Sequence, residues 1–370
     1  MALKVAAIYP AFAPEINEMA LTWQRLAQAG RVACRVVAGA DDRLKAAHSP
    51  LGVERRGNLE ILRVPGVLAP GTLGEEAVAW AAEFRPDVVF CTLPLNLVNA
   101  RRIARRARAP ILLHAEAWLD SAMMARRYYL WIPALRPWVA RALRFWHRRQ
   151  ARAVAFSNPR EIAALGSIAG MHYLPWPHPR WSAAPPVKRE ARALDTVVYV
   201  GSLQRWKGAE RLGEYGARLL ADDPGSKLVI VGPVGDSVAE RALERLKPWS
   251  REGRLRHIEH LPRAEAVALI GRSLAVFYPH PSGGWGLIGD AWRCGTPVIS
   301  VEAHYDIREG VNALVAASAR EFVSAVRRLR GEAGLWSTLV AEGERSAAAH
   351  DVEVVAGELL TFLELAQPQR

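Results

Sequence analysis

Two patterns of apolar residues alternate along the chain. Short runs rich in valine and isoleucine are typical of buried strands, and segments with apolar residues every three or four positions are typical of helices. In the first half, strands are predicted at residues 4–9, 33–37, 60–64, 87–92, 111–114 and 153–157, and helices at 18–29, 74–84 and 97–107. In the second half, strands are predicted at 196–200, 227–231, 255–258, 274–278 and 297–301, and helices at 209–220, 237–246, 264–271, 288–294 and 352–365. The alternation predicts an α/β fold with two doubly wound parallel sheets.

A proline-rich segment divides the two halves. Residues 175–192 contain five prolines, which fit neither a helix nor a central strand. We therefore expect Rossmann-like domains at 1–175 and 193–349, a linker at 176–192, and a C-terminal helix at 350–370. Two such domains joined by a linker form a cleft, and ligands of open parallel sheets bind beyond the carboxyl ends of the strands.

Composition and cysteine content indicate the class of the protein and the compartment in which it works. The chain has 370 residues, of which 51% are hydrophobic and 23% charged, as in globular proteins. Three widely spaced cysteines form neither a disulfide framework nor a zinc pattern, so a reducing, cytoplasmic setting is expected. No stretch reaches 18 uninterrupted apolar residues, so no transmembrane helix is expected.

Positive charge is concentrated in one segment. The formal net charge is +12, and residues 101–152 hold 13 arginines against two acidic residues. A field this concentrated indicates an anionic partner, namely a membrane surface, a nucleic acid or an anionic substrate.

A glycine-rich loop follows the predicted strand at 274–278. Four glycines fall within residues 283–289, and Asp290 comes next. Glycines at a strand–helix junction let backbone N–H groups approach a ligand, and the helix N-terminus favours an anion, so a phosphate or diphosphate fits. The alternative is a tight loop whose glycines only allow the chain to turn.

A second junction of this kind lies at residues 197–208. The strand ends near Gly201, and Arg205 and Lys207 follow before the next helix. Two cations beside a strand end suit a negatively charged ligand, although solvated surface cations are the alternative. Both junctions belong to the second domain, so one diphosphate could use both.

Four motifs in the second half resemble the nucleotide-sugar domain of family 4 retaining glycosyltransferases, which have the GT-B fold. They are VGSLQRWKG, LVIVG, PSGGWGLIGDAWRCGTPVIS and EGVNALV, in the family's order and spacing. The resemblance implies two Rossmann-like domains facing a central cleft, with the C-terminal helix crossing back to the first domain. It also implies a nucleoside diphosphate sugar as donor substrate, with no cofactor and no metal.

The resemblance also implies roles for individual residues of the second half. Lys207 would bind the donor diphosphate, with Arg205 supplying further charge, and Asp290 would bind the ribose hydroxyls at the position of a family glutamate. The other residues expected around the diphosphate are Ser202, Gly283, Gly284, Trp285 and Gly286. The sequence departs from the family pattern where Ser282 replaces the first family glutamate and Ser202 replaces an arginine.

The first half matches the family at one strand end. His114 ends the strand at 111–114, where family members place a histidine that contacts the transferred sugar, so the resemblance implies a catalytic role. An incidental strand-end histidine is the alternative. Four polar residues on nearby loops are candidates for acceptor contacts: Glu15, Asn17, Glu116 and Asp120.

Residues 123–152 combine arginine with tryptophan and tyrosine. Apolar residues recur there at helical spacing while arginines fall on another side, as in helices that lie in a membrane interface. The expected membrane contacts are Trp138, Arg141, Arg144, Trp146 and Arg148. The alternative is a helix that covers its own sheet. No nucleic-acid-binding module accompanies the arginines, so a nucleic-acid partner is not expected.

These observations predict a retaining, metal-independent hexosyltransferase at the inner face of the cell membrane. It would transfer a sugar to a lipid-linked or glycan acceptor, as in cell-envelope polysaccharide or glycolipid synthesis. Two alternatives stay open: an inactive GT-B protein that binds a nucleotide sugar or a partner enzyme, and a GT-B-like sugar-nucleotide epimerase.

Overall fold

The chain forms two compact units. The computed structural model describes residues 2–11, 18–42, 47–48, 50–65, 71–92, 96–115, 149–157, 171–180, 186–280, 285–303 and 306–366. Unit 1 comprises Met1–Trp176 and Val352–Arg370, and unit 2 comprises Pro177–Asp351.

Unit 1 contains the first ten strands. They are β1 (Leu3–Ala11), β2 (Val32–Gly39), β3 (Asp41–Asp42), β4 (Ala47–His48), β5 (Gly52–Arg56), β6 (Leu59–Val64), β7 (Val88–Thr92), β8 (Ile111–Ala115), β9 (Ala153–Phe156) and β10 (Met171–Tyr173). Its first helices are α1 (Glu18–Gln28), α2 (Glu75–Glu83) and α3 (Leu97–Ala107).

The strands and helices of unit 2 follow the linking segment in the sequence. The strands are β11 (Ala193–Val200), β12 (Lys227–Val231), β13 (Leu255–Ile258), β14 (Ser273–Tyr278), β15 (Val298–Ser300) and β16 (Leu314–Val315). The helices are α4 (Ala209–Asp222), α5 (Ser237–Arg251), α6 (Arg263–Arg272), α7 (Trp285–Arg293), α8 (Ala319–Gly331) and α9 (Ala333–Ala348). The last helix, α10 (Val352–Glu364), returns to unit 1.

The sheet of unit 1 has eight strands in the order β10-β9-β8-β7-β1-β2-β6-β5. One face packs against α1 and α10, where Trp23 of α1 and Phe362 of α10 both contact the Phe90 ring. The other face packs against α2 and α3. This double cover explains why β7 and β8 are buried along their whole length, since a strand covered on both faces does not alternate between buried and exposed residues.

Edge strand β5 departs from the predicted all-parallel sheet. It pairs antiparallel with β6 across a tight turn at Gly57-Asn58. The sequence pattern missed it because its residues, GVERR, are mostly exposed and charged, as is common on sheet edges.

The sheet of unit 2 has six strands in the order β13-β12-β11-β14-β15-β16, and the described pairs within it are parallel. Phe277 of β14 packs on Phe322 of α8 with ring centroids 4.2 Å apart. Tyr215 of α4 stacks on the same Phe277 ring. These aromatic contacts hold α4 and α8 against one face of the sheet.

The segment predicted as a linker packs into unit 2. His178 is buried, and Arg192 is buried beside β14. The Arg192 guanidinium donates to the carbonyl oxygens of Ser273 and Cys294 and to the Thr296 hydroxyl. Proline content indicated the irregular backbone of this segment, but these hydrogen bonds, which span up to 104 residues of sequence, could not be deduced from composition.

Helix α7 begins earlier than the sequence predicted. It starts at Trp285 rather than 288, so Asp290 lies in its second turn and not at its opening. Gly286, in the first turn, made that part of the pattern resemble a loop, because glycine disfavours helices. At Gly289 the reason for glycine is packing, since a Cβ there would collide with the buried His178 ring.

Candidate functional site

Two adjacent strands of unit 2 end at the same edge of its sheet. Strand β11 is paired in parallel with β14, and Val198 lies opposite Val276. The loops that follow Val200 and Tyr278 therefore leave the sheet side by side. This edge is the place where open parallel sheets bind ligands.

A close backbone approach joins the two loops. Gly208 has a φ of 79°, and a Cβ at this position would collide with the carbonyl oxygen of Pro279. The side chains of Trp206 and His280 cross the same junction in an edge-to-face contact, with ring centroids 5.4 Å apart. The segment that carries Lys207 is thus fixed against the loop that leads to α7.

Lys207 and Ser202 contact each other at this edge. The Lys207 ammonium donates to the Ser202 hydroxyl oxygen at 2.8 Å and lies 5.1 Å from the centre of the Trp206 ring. Ser202 occupies the position of a family arginine, and its hydroxyl orients the ammonium without neutralising it. The structure therefore brings together two of the residues predicted to bind the diphosphate.

Arg205 sits in the same short turn, Arg205–Lys207. Its backbone N–H donates to the Asp236 carboxylate at 2.7 Å, and the same carboxylate caps the N-terminus of α5. Arg205 itself is exposed. The turn thus places a second cation beside Lys207 at the carboxyl edge of the sheet.

Asp290 is buried and paired with an arginine that the sequence analysis missed. The Arg263 guanidinium donates to one Asp290 carboxylate oxygen at 2.6 Å. The Asp290 side chain is 4% exposed and the Arg263 side chain 25% exposed. Arg263 is the first residue of α6 and follows the carboxyl end of β13, so the strand-end rule could have drawn attention to it.

Several predicted site residues lie outside the described part of the chain. Gly286 lies in the first turn of α7, and the backbone of Trp285 begins that helix. Outside the described residues lie Gly283, Gly284, Glu15, Asn17, Glu116, Asp120, Trp138, Arg141, Arg144, Trp146 and Arg148. The roles of all these residues stay predictions.

His114 lies in unit 1 with its ring fully buried. It pairs in register with Thr92 of β7 and Ala155 of β9, and its Nε2 lies 2.7 Å from the Ser157 hydroxyl. Burial lowers the pKa of His114 from its usual 6.5 to about 3, so the imidazole is neutral at neutral pH. Ser157 is a partner that sequence reasoning missed, although it is the last residue of a predicted strand.

A cavity in unit 2 lies away from these residues. It has a volume of about 560 Å³ and is lined by parts of residues 186–192 and α9, with Trp336 and Val340 in its wall. Lys207 and Asp290 do not line it. The candidate donor site is therefore a surface at the sheet edge and not this cavity.

The described residues contain neither a cluster suited to a metal ion nor a helix suited to span a membrane. No group of three or more histidine, cysteine, aspartate or glutamate side chains there is placed to hold a metal ion. Within the same residues, no helix is both long enough and apolar enough to cross a bilayer. The expected absence of a metal stays a prediction.

Comparison with known proteins finds a family match within unit 2. Residues 195–331 match the family model for glycosyl transferases group 1. A curated relative, D-inositol 3-phosphate glycosyltransferase of Rhodococcus jostii, is 29% identical over 181 residues, or 46% of this chain and 40% of the relative. The match thus spans less than half of the length of that relative.

Solved structures match the whole chain in fold. HepE of Anabaena, solved with UDP and glucose, has a TM-score of 0.72 at 15% identity and covers 98% of this chain and 99% of its own. Sucrose-phosphate synthase of Thermosynechococcus elongatus has a TM-score of 0.74 at 18% identity, with coverages of 99% and 100%. The resemblance to group 1 glycosyltransferases of the GT-B fold is confirmed, while family 4 in particular stays a prediction.

The buried state of His114 predicts a contribution to acid sensitivity. The unfolded chain binds a proton at His114 as the pH falls through about 6.5, whereas the folded chain does so only near pH 3. Folded-state stability is therefore lost as the pH falls below 6.5. We expect His114→Gln to reduce the slope of the unfolding free energy against pH by about 1.4 kcal/mol per pH unit between pH 6 and 4.5. Urea unfolding at a series of pH values measures this slope.

The exposed His260 supplies the matched control. His260→Gln makes the same replacement at a histidine that is exposed to solvent in the folded chain, and it controls for the effect of the substitution itself. A His114→Gln variant whose unfolding free energy varies with pH as steeply as that of the wild type would contradict a buried, neutral His114.

Proposed function

We propose that the protein is a retaining, metal-independent hexosyltransferase. It moves a sugar from a nucleoside diphosphate sugar to a lipid-linked or glycan acceptor. The observation that carries this proposal is the pairing of Lys207 with Ser202 at the carboxyl edge of the unit 2 sheet, inside the segment that matches group 1 glycosyltransferases. The likeness in fold to HepE, a protein solved with UDP and glucose, supports a nucleotide sugar as the donor.

The leaving diphosphate is the part of the reaction that needs stabilisation. As the bond between the sugar C1 and the diphosphate oxygen breaks, its electron pair leaves with the diphosphate, and negative charge develops there. Lys207 and Arg205 supply fixed positive charge at this edge, which lowers the barrier because little reorganisation is then needed. The glycine-rich residues Gly283, Gly284 and Gly286 add backbone N–H groups, and Asp290 serves the nucleoside end.

The acceptor side belongs to unit 1. A neutral imidazole at His114 can donate or accept a hydrogen bond with a sugar hydroxyl, and the contact of its Nε2 with the Ser157 hydroxyl holds the ring in place. Glu15, Asn17 and Glu116 are candidates for acceptor hydroxyls, as is Asp120. The acceptor hydroxyl forms the new bond on the face from which the diphosphate leaves, which gives retention without a protein nucleophile.

An inactive nucleotide-sugar-binding protein is the main alternative. Ser282 at the position of the first family glutamate and Ser202 at that of an arginine are the residues that favour it. An epimerase of similar fold is the second alternative. Hydrolysis or transfer of the donor sugar by the purified protein separates a transferase from the inactive protein, and a changed sugar configuration in the nucleotide product identifies an epimerase.

Removal of the Lys207 ammonium tests the donor site. We expect Lys207→Ala to weaken binding of the preferred nucleoside diphosphate at least about tenfold, because a charge-assisted hydrogen bond contributes about 1.5–3 kcal/mol. Transfer should be lost as well. The measurements are a thermal-shift screen with UDP, GDP and ADP, titration calorimetry with the best of them, and an assay of donor turnover.

Lys247→Ala is the matched control for this experiment. Lys247 is an exposed lysine on α5 that pairs with Glu244, and its replacement should leave binding and turnover at wild-type values. Equal affinities of the Lys207→Ala variant and the wild type would reject Lys207 as a diphosphate ligand.

We also infer that residues 123–152 bind an anionic membrane surface from the cytoplasmic side. The support is compositional: arginines and tryptophans recur there at helical spacing, and each arginine near an anionic surface contributes about 1 kcal/mol. Trp138 and Trp146 would lie at the level of the lipid headgroups.

Charge reversal tests the membrane proposal. We expect the triple change of Arg141, Arg144 and Arg148 to Glu to lower partitioning onto liposomes of 30% phosphatidylserine at least about tenfold, by loss of attraction to the surface. Sedimentation with liposomes at low and high salt measures it. The same change at Arg241, Arg245 and Arg251 of α5 is the control for net charge, and equal partitioning of the two triple variants would refute the proposal.

A further inference from the structure

Exposed cations line the amino edge of the unit 1 sheet, where its parallel strands begin. Five adjacent parallel strands, in the order β9-β8-β7-β1-β2, each have an exposed cation within three residues of their first residue. These cations are Arg152, Arg108, Arg85, Lys4 and Arg31, in the order of the strands. Because neighbouring strands lie about 4.8 Å apart, the cations form a row roughly 19 Å long.

Little of the charge in this row is neutralised. Among the described residues, no acidic side chain is paired with Arg31, Arg85 or Arg108. Asp87 lies beside the row and accepts a hydrogen bond from the backbone N–H of Lys4 at 2.8 Å. The last turn of α3 adds two exposed arginines, and that of α2 adds one exposed glutamate. The described cations therefore outnumber the described acidic residues at this edge, which favours an anionic partner.

Two of the arginines have a backbone conformation that usually requires glycine. Arg85 and Arg108 have φ values of 52° and 57°, and among the described residues they are the two non-glycine residues in this left-handed region. Each lies just past a helix, α2 or α3, where glycine adopts this conformation without strain. Just past α1 and α5 the chain does have glycine, with φ values of 68° at Gly30 and 69° at Gly253.

Helix stability does not explain why arginine stands at these two positions. An arginine in the last helical turn interacts favourably with the helix dipole and needs no left-handed backbone. At Arg85 and Arg108 the chain keeps a charged side chain where it also strains the backbone. Strain of this kind, at the starts of the neighbouring strands β7 and β8, indicates that the side chains serve a function.

An extended anionic surface fits the row better than a small anion. A single phosphate or carboxylate would use only part of a row roughly 19 Å long. Arg152 is also the last residue of the segment 123–152, whose arginine and tryptophan content indicates contact with a membrane. His114 lies near the carboxyl end of β8, so a surface bound at the amino edge leaves that end of the strands open.

We propose that the amino edge of the unit 1 sheet binds the headgroups of an anionic lipid surface, with Arg85 and Arg108 as central contacts. The proposal rests on the proposed function, because it assigns a described surface to the same membrane partner. Each cation near such a surface strengthens binding about fivefold. Nucleic acid is disfavoured as the partner, because the described residues of this edge include no exposed aromatic side chain on which bases could stack.

Glycine at both strained positions tests the proposal, because it removes charge and strain together. We expect the double change Arg85→Gly and Arg108→Gly to lower partitioning onto liposomes of 30% phosphatidylserine at least about tenfold. The same variant should unfold at a temperature no lower than that of the wild type, because glycine adopts the left-handed backbone freely. Liposome sedimentation and thermal unfolding measure the two effects. Equal partitioning of this variant and the wild type would overturn the proposal.

Two further double variants separate the local charge from other effects. Arg85→Lys with Arg108→Lys keeps the charge and should partition within about threefold of the wild type. Arg241→Ala with Arg245→Ala removes the same charge from exposed positions of α5 and should also partition like the wild type. A loss in either variant as large as that of the glycine variant would overturn the proposal.

The test also identifies a different partner and a failure of the proposed function. Loss of binding to a 20-nucleotide single-stranded RNA in the glycine variant, with unchanged liposome partitioning, would replace the lipid surface by nucleic acid. Loss of partitioning on changing Arg141, Arg144 and Arg148 to Glu, but not in the glycine variant, would reject only the amino edge. A wild type that does not partition onto the liposomes would reject the proposed membrane binding and the amino edge together.

Discussion

The contact between two loops at the carboxyl edge of the unit 2 sheet determines where the candidate site can form. Gly208 lies so close to the Pro279 carbonyl that only hydrogen fits between them, and its left-handed backbone is one that glycine adopts without strain. The turn before it therefore cannot shift without moving the segment that leads into α7. The turn that carries Lys207 and the loop that begins after β14 are in this way held together at one junction.

The charged side chains near this junction fall into two groups. At one end the Lys207 ammonium contacts the Ser202 hydroxyl and the face of the Trp206 ring, and its positive charge favours an anionic ligand. At the other end Arg263 is compensated by a carboxylate that is almost entirely buried. A ligand with a diphosphate at one end and a neutral, hydroxyl-bearing ring at the other matches this arrangement, and a nucleoside diphosphate sugar has that form.

The sequence predicted the parts of the fold that depend on local pattern. Apolar runs identified the parallel strands, including β11 and β14, whose neighbouring ends bring the loops of the site together. Edge strand β5 was missed because exposed, charged strands carry no apolar signal. The start of α7 was placed too late because Gly286 in its first turn resembles a loop residue. Gly289 was inside the predicted helix, and the reason for glycine there is the space taken by His178.

The site was predictable only where its residues follow strands directly. Lys207 and Asp290 were found through their place after strands and through the motif, and His114 in the same way. Their partners were not found, because the contacts of His114 with Ser157 and of Asp290 with Arg263 join residues 43 and 27 positions apart. Tertiary packing decides such pairs, and one sequence without its fold does not reveal them.

A crystal structure of the protein with UDP tests the central claim most directly. The account predicts that the diphosphate lies within hydrogen-bond distance, about 3 Å, of the Lys207 ammonium. UDP bound with its diphosphate remote from Lys207 would contradict the account.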